Sequence, residues 1–124
     1  MTRVMVIDNQ ADLARAFKVG LKSSDIEADA YTDPLQAIKD FQPDKYDLVL
    51  LDIHMPAIDG FDVYRELKRI DSDVPICFLT AFDFKEAEFK RLFPDANVDR
   101  VLRKPITMSN LLEEVRRLVA PRHR

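Results

Sequence analysis

Apolar residues along this chain fall into two patterns, short unbroken runs and steps of three or four. Val4-Met5-Val6-Ile7, Leu48-Val49-Leu50-Leu51 and Ile76-Cys77-Phe78-Leu79 are unbroken runs, the pattern of strands covered on both faces. Each run stops at a polar residue: Asp8, Asp52 and Thr80. Two further segments predict strands of half-exposed character. Ile26-Glu27-Ala28-Asp29-Ala30-Tyr31 alternates small or apolar residues with polar ones, and Val98 to Arg103 mixes Val98, Val101 and Leu102 with Asp99, Arg100 and Arg103. The chain thus predicts three central strands and two edge strands.

Helical spacing fills the intervals. Leu13, Ala16, Phe17, Gly20 and Leu21 predict a first helix, Leu35, Ile38 and Phe41 a second, and Phe61, Tyr64, Leu67 and Ile70 a third. The stretch 83–93 predicts a fourth, with Phe89, Leu92 and Phe93 on one side. Met108, Leu111, Leu112, Val115, Leu118 and Val119 form the apolar stripe of a fifth, with Thr107 as its N-cap and Pro121 marking its end. Strand–helix alternation predicts a parallel sheet with helices on both faces. Right-handed crossovers, with edge character in the second and fifth strands, favour the order 2-1-3-4-5. Sites in such a doubly wound α/β fold form beyond the carboxyl ends of the strands, near the switch point between strands 1 and 3.

Composition narrows the function more than the fold. A length of 124 residues suits one domain, spanning 1–124 with about 120–124 as a tail or linker stub. The net charge of −3 gives no reason to expect direct nucleic-acid binding. The basic end Arg122-His123-Arg124 reads as solvated tail. Cys77 is the single cysteine and lies in an apolar run, which predicts a buried structural thiol. No disulfide can form within the chain, as suits a reducing compartment. No apolar stretch approaches the ~18 residues of a membrane span. Charged Arg3 and Asp8 bracket a run too short for a signal peptide. The expected location is the cytoplasm.

The parallel sheet gathers Asp8, Asp52, Thr80 and Lys104 at one rim, each at or just after the end of a strand. Two neighbouring carboxylates repel and so favour a cation between them. Oxygen ligands select a hard ion such as Mg2+, which takes one or two carboxylates together with waters and phosphate oxygens. A carboxylate is also a nucleophile toward phosphorus. Mg2+ and the Lys104 ammonium would neutralise a transferred phosphoryl group, and the Thr80 hydroxyl can donate to one of its oxygens.

Asp8 after an apolar strand, Leu51-Asp52-Ile53-His54-Met55-Pro56 followed by Asp59-Gly60, Leu79-Thr80-Ala81, and Lys104-Pro105 together resemble the motifs of response-regulator receiver domains in two-component signalling. The match runs in order along essentially the whole chain. The resemblance implies the flavodoxin-like receiver fold with five helices. It implies that Asp52 accepts phosphoryl from a sensor histidine kinase or phosphotransfer protein, that Thr80 senses the phosphoryl group and that Lys104 contacts it. It also implies Mg2+ held by Asp8, by the neighbouring position 9, by Asp52 and by the backbone carbonyl of His54. A Lys104–Pro105 bond that is often cis in the family is a further implication. The face of the fourth helix, fifth strand and fifth helix is where the family often dimerises or docks output partners. Receivers are switches rather than enzymes, catalysing at most their own phosphoryl transfer and autodephosphorylation.

Two positions depart from the family pattern. Asn9 stands where a second acid usually follows the first, with Gln10 next, where an acid is also frequent. An amide oxygen coordinates without charge, which predicts weak Mg2+ binding before phosphorylation. Val101 stands where an aromatic residue often precedes the lysine by three. His54 and His123 are the only histidines, so a histidine-based metal site is not expected, and the His54 side chain reads as an exposed neighbour of the site. Two other functions compete. A haloacid-dehalogenase-type phosphatase shares the aspartate, threonine, lysine and Mg2+, but needs an aspartate two positions after the nucleophile, where His54 stands. A pseudo-receiver, which recognises partners without phosphorylation, is suggested by Asn9. A flavin-binding relative would need a phosphate-cradling loop, and Gly20 and Gly60 are the only glycines.

Overall fold

Five parallel strands, β1 (Arg3–Ile7), β2 (Glu27–Tyr31), β3 (Leu48–Asp52), β4 (Ile76–Thr80) and β5 (Val101–Arg103), pair in the order β2-β1-β3-β4-β5. The computed structural model describes residues 2–53, 60–80 and 101–119, with single positions at 87, 90, 91 and 94. Among the described residues four helices accompany the strands: α1 (Ala11–Lys22), α2 (Pro34–Asp40), α3 (Gly60–Ile70) and α4 (Met108–Val119). The last is the fifth helix that the spacing predicts. Of the fourth, Ala87, Lys90 and Arg91 are helical and exposed. Phe89, Leu92 and Phe93 lie outside the described residues, as do residues 98–100 of the fifth strand.

The unbroken apolar runs are central because alternate side chains enter two cores. Met5, Ile7, Val49, Leu51, Ile76 and Phe78 face α2 and α3. Val4, Val6, Leu48, Leu50, Cys77 and Leu79 face α1 and α4. Every residue of β3 and β4 is buried, whereas β2 and β5 are partly open at the edges. Cys77 is a buried thiol outside any disulfide.

The helical stripes agree in period and differ in phase. α1 buries Ala14, Phe17 and Leu21 and leaves Ala16 exposed. α2 buries Pro34 and Ala37, with Phe41 just beyond, while Leu35 is 60% exposed. The start of α2 explains the second case. Asp33 accepts a hydrogen bond from the Leu35 N–H at 3.0 Å and Pro34 occupies the first turn. This fixes the helix entry so that Leu35 turns outward. Thr107 caps α4 as expected, its Oγ1 accepting from the Asn110 N–H at 3.1 Å. Gly20 lets α1 approach α4, since a Cβ there would overlap the Met108 side chain.

A polar cluster secures the β2 edge to α2. The Tyr46 hydroxyl donates to Asp29 at 2.7 Å and the Tyr31 hydroxyl to Asp40 at 2.8 Å. Burial, then the acceptor carboxylate, pushes the Tyr31 phenol up to about 12. Burial followed by Asp29 raises Tyr46 further. The folded state therefore favours the neutral phenols. The Tyr31 contribution is complete below the ordinary tyrosine value of 10.0 and is lost as pH climbs through about 12, and that of Tyr46 is lost at higher pH still. Tyr46→Phe is expected to lower unfolding stability by about 1–2 kcal/mol at neutral pH and to flatten its decline above pH 10. Denaturant unfolding at several pH values checks both, and an unaltered alkaline decline would rule out Tyr46 as a source of it.

Candidate functional site

The carboxyl ends of β1, β3, β4 and β5 bring the predicted rim together. Asp8 follows β1 and is fully buried, Asp52 closes β3 at 4% exposure, and Thr80 closes β4, also fully buried. Parallel register sets Asp52 beside Leu79 and Thr80 beside Arg103. Lys104 then follows directly, its backbone N–H donating to the Thr80 carbonyl at 2.8 Å. The Lys104–Pro105 peptide is cis.

The side chain of Lys104 joins the two acids. Its Nζ donates to Asp8 Oδ2 at 2.7 Å and lies 3.6 Å from Asp52 Oδ2. The first is a direct charge-assisted hydrogen bond and the second an ion pair beyond hydrogen-bond length. Two buried carboxylates share one ammonium, so the trio keeps one net negative charge.

Asp8 is held on its other oxygen as well, Oδ1 accepting from the Gln10 N–H at 2.9 Å. The Gln10 side chain reaches the same lysine, its Oε1 accepting from Nζ at 3.2 Å. The sequence marks this position only as one where an acid is frequent. Its one signal was a long amide at a helix N-cap, where shorter side chains are preferred. Asn9 is exposed, as is Gln10. His54 lies outside the described residues, so neither its carbonyl nor its side chain is placed.

Two features bear on what the site can hold. Thr80 Oγ1 is buried and has no hydrogen-bond partner among the described residues, a costly arrangement for a hydroxyl unless something else uses it. Among the described residues no group of three or more His, Cys, Asp or Glu could hold a metal. Gly60 packs against the strand end that carries Asp52. Its N–H donates to the Ile53 carbonyl at 3.3 Å, and a Cβ there would come within 2.9 Å of the Asp52 carbonyl oxygen and 2.8 Å of Ile53 Cα. Any side chain would push α3 away from the strand end that carries Asp52.

Comparison with known proteins agrees with this geometry. The family model of the response regulator receiver domain matches residues 4–116. The transcriptional regulatory protein PrrA of Mycobacterium tuberculosis is 32% identical over 120 residues, 97% of this chain and 51% of the relative. The response regulator MprA of Mycobacterium ulcerans is 30% identical over 117 residues, 94% of this chain and 50% of the relative. The chain thus spans about half the length of these two relatives. Among solved structures, a two-component response regulator from Clostridium difficile superposes with a TM-score of 0.85 at 22% identity, covering 100% of both chains. The non-phosphorylated HemR receiver domain from Leptospira biflexa superposes with a TM-score of 0.83 at 22% identity, covering 97% of this chain and 95% of that one. The sheet order, the rim of polar strand ends and the match over residues 4–116 agree, and the chain belongs to the response regulator receiver domain family.

Proposed function

We propose that this receiver domain is a phosphorylation-controlled switch whose phosphoacceptor is Asp52. The observation that carries this is one lysine held between two buried carboxylates at strand ends, 2.7 Å from Asp8 and 3.6 Å from Asp52. In the proposed step an Asp52 carboxylate oxygen attacks the phosphorus of a phosphohistidine on a sensor kinase or phosphotransfer protein. The P–O bond forms as the P–N bond breaks, and its electron pair returns to the imidazole. Lys104 then meets the new phosphoryl charge, and the Thr80 hydroxyl, without a partner among the described residues, donates to a phosphoryl oxygen.

The residues present fit a hard cation. Buried Asp8 and Asp52 already hold a positive charge between them, and two carboxylates suffice for Mg2+ when phosphoryl oxygens and waters complete its shell. Asp8, Asp52 and the His54 carbonyl would hold it, with Asn9 as an uncharged fourth group. Bound there, Mg2+ would neutralise the transferring phosphoryl group.

The exposed Asn9 favours a second reading, a pseudo-receiver that binds partners with little metal-dependent phosphorylation. The phosphatase alternative needs an aspartate where His54 stands and finds no support. Output would pass through the face that carries β5 and α4, for a homodimer or a partner. The larger size of the relatives suits a further output segment.

Incubation with a small phosphodonor and Mg2+ is expected to add one phosphoryl group by mass, and Asp52→Asn to abolish it. Full labelling of that variant would overturn the assignment. Lys104→Ala leaves two buried acids without their cation. It is expected to fold with stability lowered by about 1–3 kcal/mol in the absence of metal, and to be labelled without the amide shifts at β5 and α4 that follow phosphorylation of the wild type.

Asn9→Asp restores one negative charge. A unit pair at ~4 Å is worth about 4 kcal/mol at an effective dielectric of ~20 before desolvation, and about 1.4 kcal/mol net corresponds to tenfold in affinity. Isothermal titration is expected to show Mg2+ binding at least several-fold tighter in Asn9→Asp, with lower unfolding stability when metal is withheld. Equal affinities would mean that position 9 does not face the metal.

A further inference from the structure

The N-cap of α1 is put to unusual use. Gln10 makes no side-chain hydrogen bond to its own helix. It spends its amide oxygen on Lys104, 94 residues away, at 3.2 Å, while its backbone N–H holds Asp8 at 2.9 Å. A residue that breaks a local capping preference for a long-range contact at a functional rim marks a place where function overrides local rules.

The geometry gives that contact a direction. Lys104 has one short bond, to Asp8, and a longer approach to Asp52. Gln10 accepts from the ammonium that Asp8 binds, and Asp8 is itself fixed by the Gln10 backbone. The Gln10 amide oxygen thus holds the ammonium on the Asp8 side, while its backbone N–H fixes the Asp8 carboxylate in place. A cation arriving at Asp8 must displace the ammonium from both acceptors.

We propose that Gln10 is a positioning residue that latches Lys104 onto Asp8 in the resting protein, so that the lysine competes with a divalent cation for Asp8. This rests on the Mg2+ site proposed above. The latch biases the resting site toward its metal-free form, because a ligand that binds one state only must work against whatever stabilises the other. Gln10 thereby acts on metal affinity through Lys104 rather than as a ligand.

The test combines a metal-free signal with a double-mutant cycle. In the full chain without metal, Gln10→Ala is expected to move the Lys104 ε-methylene NMR resonance, since the ammonium loses one of its acceptors. Mg2+ titration is expected to show two- to fivefold tighter binding in Gln10→Ala than in the wild type. In a Lys104→Gln background the same substitution is expected to change Mg2+ affinity by less than twofold. An unmoved lysine resonance would overturn the latch. Weaker Mg2+ binding in Gln10→Ala, or an equal change in both backgrounds, would overturn the competition and make Gln10 a partner of the metal itself. If Lys104→Gln does not fold, the lysine resonance and the sign of the Mg2+ change in Gln10→Ala still decide. If the wild type binds no Mg2+ at all, the metal site is wrong and the competition falls with it, while the lysine resonance decides the latch independently.

Discussion

The Lys104 ammonium between Asp8 and Asp52 is the interaction on which the rest of the rim depends. Two carboxylates buried at adjacent strand ends cannot both stay charged without a counter-ion, because burial penalises each charge and each repels the other. Lys104 supplies that counter-ion from 96 residues along the chain from Asp8. The β4–β5 pairing brings it there through the Thr80 carbonyl, and the β3–β4 pairing sets Asp52 at the matching height. A slip in either register would separate the lysine from the acids. The buried sheet core, which fixes register through burial on both faces, is therefore what keeps the site neutral to within one charge.

The backbone around Asp52 is as constrained as its charge. Gly60 packs so close to the Asp52 and Ile53 backbone that a methyl group would collide with it. The return of the chain into α3 thus limits how the strand end can move. Phe61 and Tyr64 on the first turns of α3 pack on Phe78 of β4, with ring centroids 5.5 and 5.3 Å apart. These contacts give the acids a well-packed scaffold from below.

Much of this was legible in the sequence, for a physical reason. Unbroken runs such as Leu48-Val49-Leu50-Leu51 can only be central strands in a chain this short, and a parallel sheet forces their polar terminators, Asp8, Asp52 and Thr80, to one rim. Lys104 was legible from its place after the last strand and from the Lys104-Pro105 pair. Helix phase was less legible. Leu35 looks like a core residue on spacing alone, but Asp33 and Pro34 set the rotation of a short helix and leave it exposed. Gln10 was legible only as a long amide at a helix N-cap, because its role depends on a contact between residues 94 apart that no local pattern encodes. Asn9, the conspicuous departure in the motif, proves exposed, while the less conspicuous Gln10 carries the contact to the lysine.

Charge accounting links the resting geometry to the proposed chemistry. With Asp8, Asp52 and Lys104 alone, the site keeps one negative charge, and the lysine is committed more closely to Asp8 than to Asp52. A phosphoryl group on Asp52 would place about −2 charge at physiological pH where −1 stood before. The ammonium would then gain more by facing Asp52 than by staying on Asp8, and the buried Thr80 hydroxyl would gain an acceptor that it lacks among the described residues. Both movements act on residues joined by a single backbone hydrogen bond, from Lys104 N–H to the Thr80 carbonyl. A change of charge on β3 would in this way be felt at the β4–β5 edge without any rearrangement of the sheet core.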